Sequence, residues 1–200
     1  MKTLETLLFS IDQPRRNVAS GTLLVAEPFL RESYFNHAVV CLVDYGENEK
    51  AMGLTLNKAT SYTLGDLVSR VVRPEPIPVF CGGPLSLNHL FFLHRLGDIL
   101  PGAKPVGNGV YFGGEFDIMV DYVNSGAPID GQVRFFLGYS GWDVGQLADE
   151  LRNNVWAVVD DFDEHKLLCG IDDAYWHNYV KMLGNDYRGW LYHPHNPQLN

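Results

Sequence analysis

The chain has 200 residues, 46% hydrophobic and 20% charged, an ordinary globular composition long enough to bury a core without crosslinks. A formal net charge of −9 excludes a broad nucleic-acid surface, which needs clustered Lys and Arg. Cys41, Cys81 and Cys169 are too few and too widely spaced for a disulfide framework. Reduced thiols, an N-terminus unlike a signal peptide and no apolar run long enough for a bilayer make a cytoplasmic location, away from membranes, the expectation.

Met1 to Ile11 places Leu4, Leu7, Leu8 and Ile11 on one helical face, within an N-terminal extension over residues 1–20. Residues 21–200 read as a single domain. Gly21 to Ala26 is an apolar strand that Pro28 ends, and Phe29 to Phe35 is a connector. Ala38 to Val43 and Met52 to Leu56 pair most simply as an antiparallel hairpin across the polar loop Tyr45 to Lys50. Thr63 to Val72 predicts a helix, with Leu64, Leu67, Val68 and Val71 as its stripe and Thr63 and Asp66 as a capping box. Pro74, Pro76 and Pro78 stiffen the next connector. Ile77 to Phe80 is a brief strand, running into Cys81-Gly82-Gly83-Pro84. Leu90 to Leu93 is a strand, Gly97 to Gly107 a loop and Val110 to Phe112 a strand. Glu115 to Asn124 is a helix that turns Phe116, Met119, Val120 and Val123 inward, with Gly126 just past its end.

The stretch from Val133 to Leu151 organises the rest. Val133 to Leu137 is a buried strand, and Gly138 and Gly141 allow a sharp turn after it. A helix is expected to follow, with Ser140 as N-cap, Asp143 completing a capping box, and Val144, Leu147, Ala148 and Leu151 on its apolar stripe. Val155 to Val159 is a strand, followed by the acidic loop Asp160 to Glu164. Asp172 caps a last helix that Gly184 stops, and Trp190 to Asn200 is extended. Hairpin-like strand pairs interrupted by helices indicate an α+β fold.

Few residues suggest chemistry. Gly138 to Trp142 fails the nucleophile-elbow pattern, because Trp142 stands where the second glycine belongs. Gly82 and Gly83 follow a strand and offer backbone N–H groups to an anion, or simply make a tight turn. Gln146 presents an amide near the helix mouth, or bonds its neighbouring turn. Cys81 would be reactive only as a stabilised thiolate. Cys41 reads as a small core residue, His94 as a structural hydrogen-bonding group and Asn57 as the shaper of a turn. His37, His89 and His94 lack metal-ligand spacing, and His193 and His195 with Asp160, Asp161 and Asp163 read as solvated. Tyr175, Trp176 and Tyr179 either pack the last helix or form a contact surface.

Together these segments resemble the AlgH/YqgE family of bacterial proteins. The resemblance rests on Gly21-Thr22-Leu23-Leu24-Val25-Ala26-Glu27-Pro28, Phe35 to Val40, Gly53-Leu54-Thr55-Leu56-Asn57, Gly82-Gly83-Pro84, Leu93-His94 and Gly138 to Leu151. The Trp176 helix and the Pro194 to Asn200 ending are similar to Bacteroidetes-type members. The resemblance implies a single α+β domain whose mixed, mostly antiparallel curved sheet forms a pseudo-barrel with peripheral helices. It brings a transcriptional-regulator label but no catalytic residues. Its pattern accepts alanine at Ser140, which argues against a serine nucleophile. The expected function is therefore a non-enzymatic binding or indirect regulatory protein, with a small-molecule or protein partner, no cofactor or metal, and no direct nucleic-acid contact. The alternative is a small-molecule enzyme or sensor with a pocket at the Gly82-Gly83 and Gly138 to Gln146 loops. Asn57, Gly82, Gly83, His94, Tyr139, Gly141 and Gln146 form the candidate ligand-binding set.

Overall fold

A computed structural model describes residues 17–192 apart from Arg31, Glu47, Asp160 and Asp161. The helix expected over Met1 to Ile11 and the tail from His193 lie outside the described residues. The fold is a single α+β domain built on a curled sheet. Its strands are β1 (Leu23–Ala26), β2 (Val39–Asp44), β3 (Ala51–Thr55), β4 (Ala59–Thr63), β5 (Pro78–Cys81), β6 (Leu85–His94), β7 (Lys104–Gly107), β8 (Val110–Phe112), β9 (Val133–Trp142) and β10 (Trp156–Val159). The helices are α1 (Leu64–Leu67), α2 (Phe116–Asn124), α3 (Gln146–Arg152), α4 (Glu164–Leu167) and α5 (Asp172–Leu183), with 3-10 turns over Gly97–Ile99 and Asn185–Tyr192.

The strand order is β10-β1-β2-β3-β9-β6-β8-β7, with β4 and β5 forming a branch. The β2–β3 hairpin is antiparallel, as two short apolar runs joined by a polar loop predict. The branch exists because β9 changes partner along its length. Over Phe135 to Leu137 one edge takes β5 in parallel while the other takes β6. From Ser140 to Trp142 the edge that held β5 takes β3 instead. The sheet curls until β7 meets the start of β1, where a Cβ on Gly21 would lie 2.8 Å from the Val106 carbonyl oxygen. Lys104 Nζ pairs with Asp44 Oδ1 across the same rim at 3.0 Å.

Alternate strand residues feed different cores, as the pleat requires. Leu23, Val25, Cys41, Leu54 and Phe136 point inside the curl, where Trp176 and Trp190 join them. Leu24, Val40, Leu42 and Trp156 form a second core under Leu147 of α3. Phe135, Val79, Leu64 and Ile77 form a third with Met119 and Val123 of α2. Tyr175, Trp176 and Tyr179 are thus core residues, and Trp176 Nε1 donates to the Ala26 carbonyl at 2.9 Å.

The structure differs from the sequence reading at several places. β9 runs unbroken through Gly138 and Gly141, because Ser140 is paired with Gly53 of β3 instead of starting a turn. The Ser140–Asp143 capping box is therefore not formed. Gly145, at φ +80°, occupies the N-cap of α3, and Gln146 is its first residue. Val144 is 59% exposed, outside the apolar stripe, whereas Leu147 is 2% exposed. The Thr63–Asp66 capping box is present, but α1 closes after one turn as Val68 becomes extended. Thr63 also ends β4, a strand that polar Ala59 to Thr63 did not announce and that pairing with β5 creates. β6 begins at Leu85, five residues before Leu90, on an exposed stretch. β7 occupies part of the expected loop over residues 97–107. Asp163 accepts from the His165 N–H and starts the short α4, and Ile171, not Asp172, stands at the N-cap of α5. Trp190 lies in a 3-10 turn, not an extended tail.

Candidate functional site

Gly82, Gly83, Tyr139 and Gly141 come together where the β5–β6 connection crosses β9. A Cβ on Gly82 would sit 2.3 Å from the Gly138 carbonyl oxygen, and one on Gly83 2.3 Å from the Tyr139 carbonyl carbon. These glycines therefore let two backbones touch, and the space a nest would offer is filled by the chain itself. Gly82 N–H donates to Leu137 O at 2.8 Å, and Gly82 O accepts from Thr55 N at 2.9 Å and from Ser140 Oγ at 3.0 Å. Ser140 is fully buried in that role. Tyr139 meets the ring of Phe91 edge-on at 5.8 Å.

The other three expected site residues are engaged elsewhere. Asn57 accepts from Val39 N at 2.9 Å and donates to His37 O at 2.8 Å, joining β2 to the end of β3. His94 pairs with Val133 at the opposite end of the β6–β9 ladder from the crossing. Its Nδ1 accepts from Leu96 N at 3.2 Å, so the proton sits on Nε2, which donates to Gly113 O at 2.9 Å. Burial holds this imidazole below its ordinary value. Gln146 Oε1 accepts from Asp143 N at 3.0 Å and its Nε2 donates to Glu150 Oε1 at 2.8 Å. The second Glu150 oxygen receives the indole N–H groups of Trp142 at 2.8 Å and Trp156 at 2.7 Å. Gln146 thus completes a clamp that fixes α3 to the sheet.

The thiols are held protonated by their surroundings. Burial pushes Cys41 up to about 12 and also raises Cys81, whose Sγ lies 3.7 Å from the Gly83 carbonyl oxygen.

Two clefts among the described residues are lined by none of the seven expected site residues. A cleft of about 250 Å³ opens between Pro76 to Pro78, Ile129 and the segment Leu168 to Ile171, with Arg134 and Phe80 at its inner end. A second cleft of about 350 Å³ adjoins it, sharing Gly170 and Ile171 and bounded by Phe162, Lys166, Cys169 and Tyr179. Arg134 is the residue that sequence reasoning missed. Only 5% of it is exposed, and it projects from a strand that is otherwise uncharged. Its Nη1 donates to Leu56 O at 2.6 Å, and its Nη2 to Leu168 O at 2.7 Å and Gly170 O at 2.9 Å. The guanidinium also lies 4.2 Å over the Phe80 ring. The available signal was the lone cation in Val133-Arg134-Phe135-Phe136-Leu137, since a buried charge must find acceptors.

The family model described as AlgH-like matches residues 23–188. A UPF0301 protein of Parabacteroides distasonis is 42% identical over 181 residues, covering 90% of each chain. A UPF0301 protein of Bacteroides fragilis is 38% identical over 198 residues, 98% of this chain and 99% of the other. The solution structure of the AlgH protein from Pseudomonas aeruginosa superimposes with a TM-score of 0.68 at 23% identity, covering 88% of this chain and 94% of that one. A Corynebacterium diphtheriae crystal structure gives a TM-score of 0.68 at 20% identity, over 92% of this chain and 96% of that one. At these identities the two solved structures share the fold with this chain.

Proposed function

The chain belongs to the AlgH-like family, and from that premise we propose that it is a non-enzymatic binding protein. Any effect on transcription then passes through a bound small molecule or protein partner. The observation that carries this reading is the pair of clefts meeting at Gly170 and Ile171. Apolar walls with a few placed charges are the general build of a small-ligand site. The polar side chains of the expected site fit the same reading, because Ser140 and Gln146 of the central motif and His94 at the end of β6 each hold groups of the protein itself. A net charge of −9 turns regulation away from direct contact with a phosphate backbone.

The test is a thermal-shift screen against metabolites and nucleotides, run in parallel on the parent and on Ile171→Trp. Ile171 is 50% exposed, so the larger ring fills the shared mouth without disturbing the core. A true ligand raises the melting temperature by mass action. The expected outcome is a hit whose shift disappears in Ile171→Trp and which is recovered chemically unchanged. A hit converted to product would replace binding with catalysis, and a screen without hits would remove the clefts from consideration.

A further inference from the structure

We propose that the Arg134 cleft binds a small monocarboxylate with an apolar body, an inference that rests on reading this cleft as a ligand site. A guanidinium carries five N–H donors, and the three carbonyl acceptors on Arg134 engage three of them. Among the described residues the other two donors meet no hydrogen-bond acceptor. Those three partners are neutral, so they satisfy hydrogen bonds without cancelling the charge. Among the described residues no carboxylate forms an ion pair with Arg134. A buried cation without a counter-ion is unfavourable, and an anion that enters the cleft relieves that cost. Burial also lowers the proton affinity of this guanidinium, a cost that nearby charges such as Asp130 offset only in part.

The walls define the rest of the ligand. Ile77, Ile129, Leu168 and Ile171 face the space and suit an aliphatic or aromatic body. A volume of about 250 Å³ lies below the roughly 300–1,000 Å³ typical of drug-sized sites, so the ligand is small. The mouth is not uniformly basic. Glu75 is paired with Arg73 at 3.1 Å, and the Asp130 carboxylate stands on the rim. Asp130 faces an incoming anion with like charge, which penalises a dianionic phosphate twice as strongly as a monoanion. A planar carboxylate also matches the guanidinium fork.

The probes are hexanoate, hexanamide and inorganic phosphate, titrated into ¹⁵N-labelled full-length protein. Saturable shifts of the Ile129 and Ile171 amides with hexanoate are expected, at least about tenfold tighter than with the isosteric hexanamide, which lacks the charge. Arg134→Lys should weaken hexanoate at least about tenfold, since an ammonium loses the fork. Should that variant fail to fold, Ile171→Trp serves instead, abolishing the hexanoate shifts while the remaining spectrum persists. Equal binding of hexanamide, tighter binding of phosphate, or hexanoate shifts that survive Ile171→Trp each overturn the proposal. A neutral ligand that emerges from the metabolite screen and is lost in Ile171→Trp would leave the binding function standing and defeat the carboxylate assignment alone.

Discussion

His94 converts its burial into a pH dependence. The unfolded chain titrates this histidine near 6.5, while the folded protein holds the imidazole neutral to lower pH. Well above 6.5 both states are neutral, so the group contributes nothing to the pH slope there. As pH falls through 6.5 toward the folded value, the unfolded state gains the proton first and stability declines. The prediction is a urea midpoint that drops between about pH 7.5 and about pH 5.5 in the parent, and drops less in His94→Gln. Parallel curves for the two proteins would show that His94 does not titrate in this window. The structural role of His94 was legible, since a polar residue ending an apolar strand must find partners. That of Ser140 was not. Its pairing depends on β3 arriving from almost ninety positions earlier, which local spacing does not encode. Arg134 was overlooked for a related reason: its carbonyl acceptors at Leu56, Leu168 and Gly170 converge only through the fold.

The helices show how far periodicity carries. In α2 the inward residues Met119, Val120 and Val123 agree with the sequence pattern, because an isolated helix on a sheet face obeys its own 3.6-residue period. In α3 the expected N-cap, Ser140, lies five residues before the actual one, Gly145. Val144 has helical spacing but sits before the Gly145 cap, in a turn that faces solvent. The two positions therefore separate experimentally. Leu147→Ala should cost roughly 2–5 kcal/mol, because it empties a site between Trp142, Trp156 and the sheet. Val144→Ala should stay within about 0.5 kcal/mol, the usual range for a surface change. Denaturation midpoints of both variants check this, and comparable losses would mean that the apolar stripe includes Val144 after all. β4 was missed because Ala59 to Thr63 is polar on both faces, and only its pairing with β5 makes it a strand.

For the molecule as a whole, β9 ties the three cores together. Phe136 belongs to the inner core, Phe135 to the one under α2, and Trp142 to the one under α3. Each of the three cores draws at least one side chain from it. Calorimetry should therefore give a single transition whose van't Hoff and calorimetric enthalpies agree. Two resolved transitions in the monomer would show that the branches melt apart. The α+β class and the hairpin were readable because they follow from short apolar runs punctuated by polar loops. The branched topology was not, since one strand serving β3, β5 and β6 is a property of long-range pairing.

That late position of the shared strand has a consequence during synthesis. β3, β5 and β6 all leave the ribosome with an open edge, because the partner they await is the ninth strand to be made. At roughly 5–20 residues per second, translating from His94 to Trp142 takes on the order of 2–10 s. Throughout that interval the nascent chain displays unpaired apolar strands, so a holdase-type chaperone has more to protect before Trp142 emerges than after it.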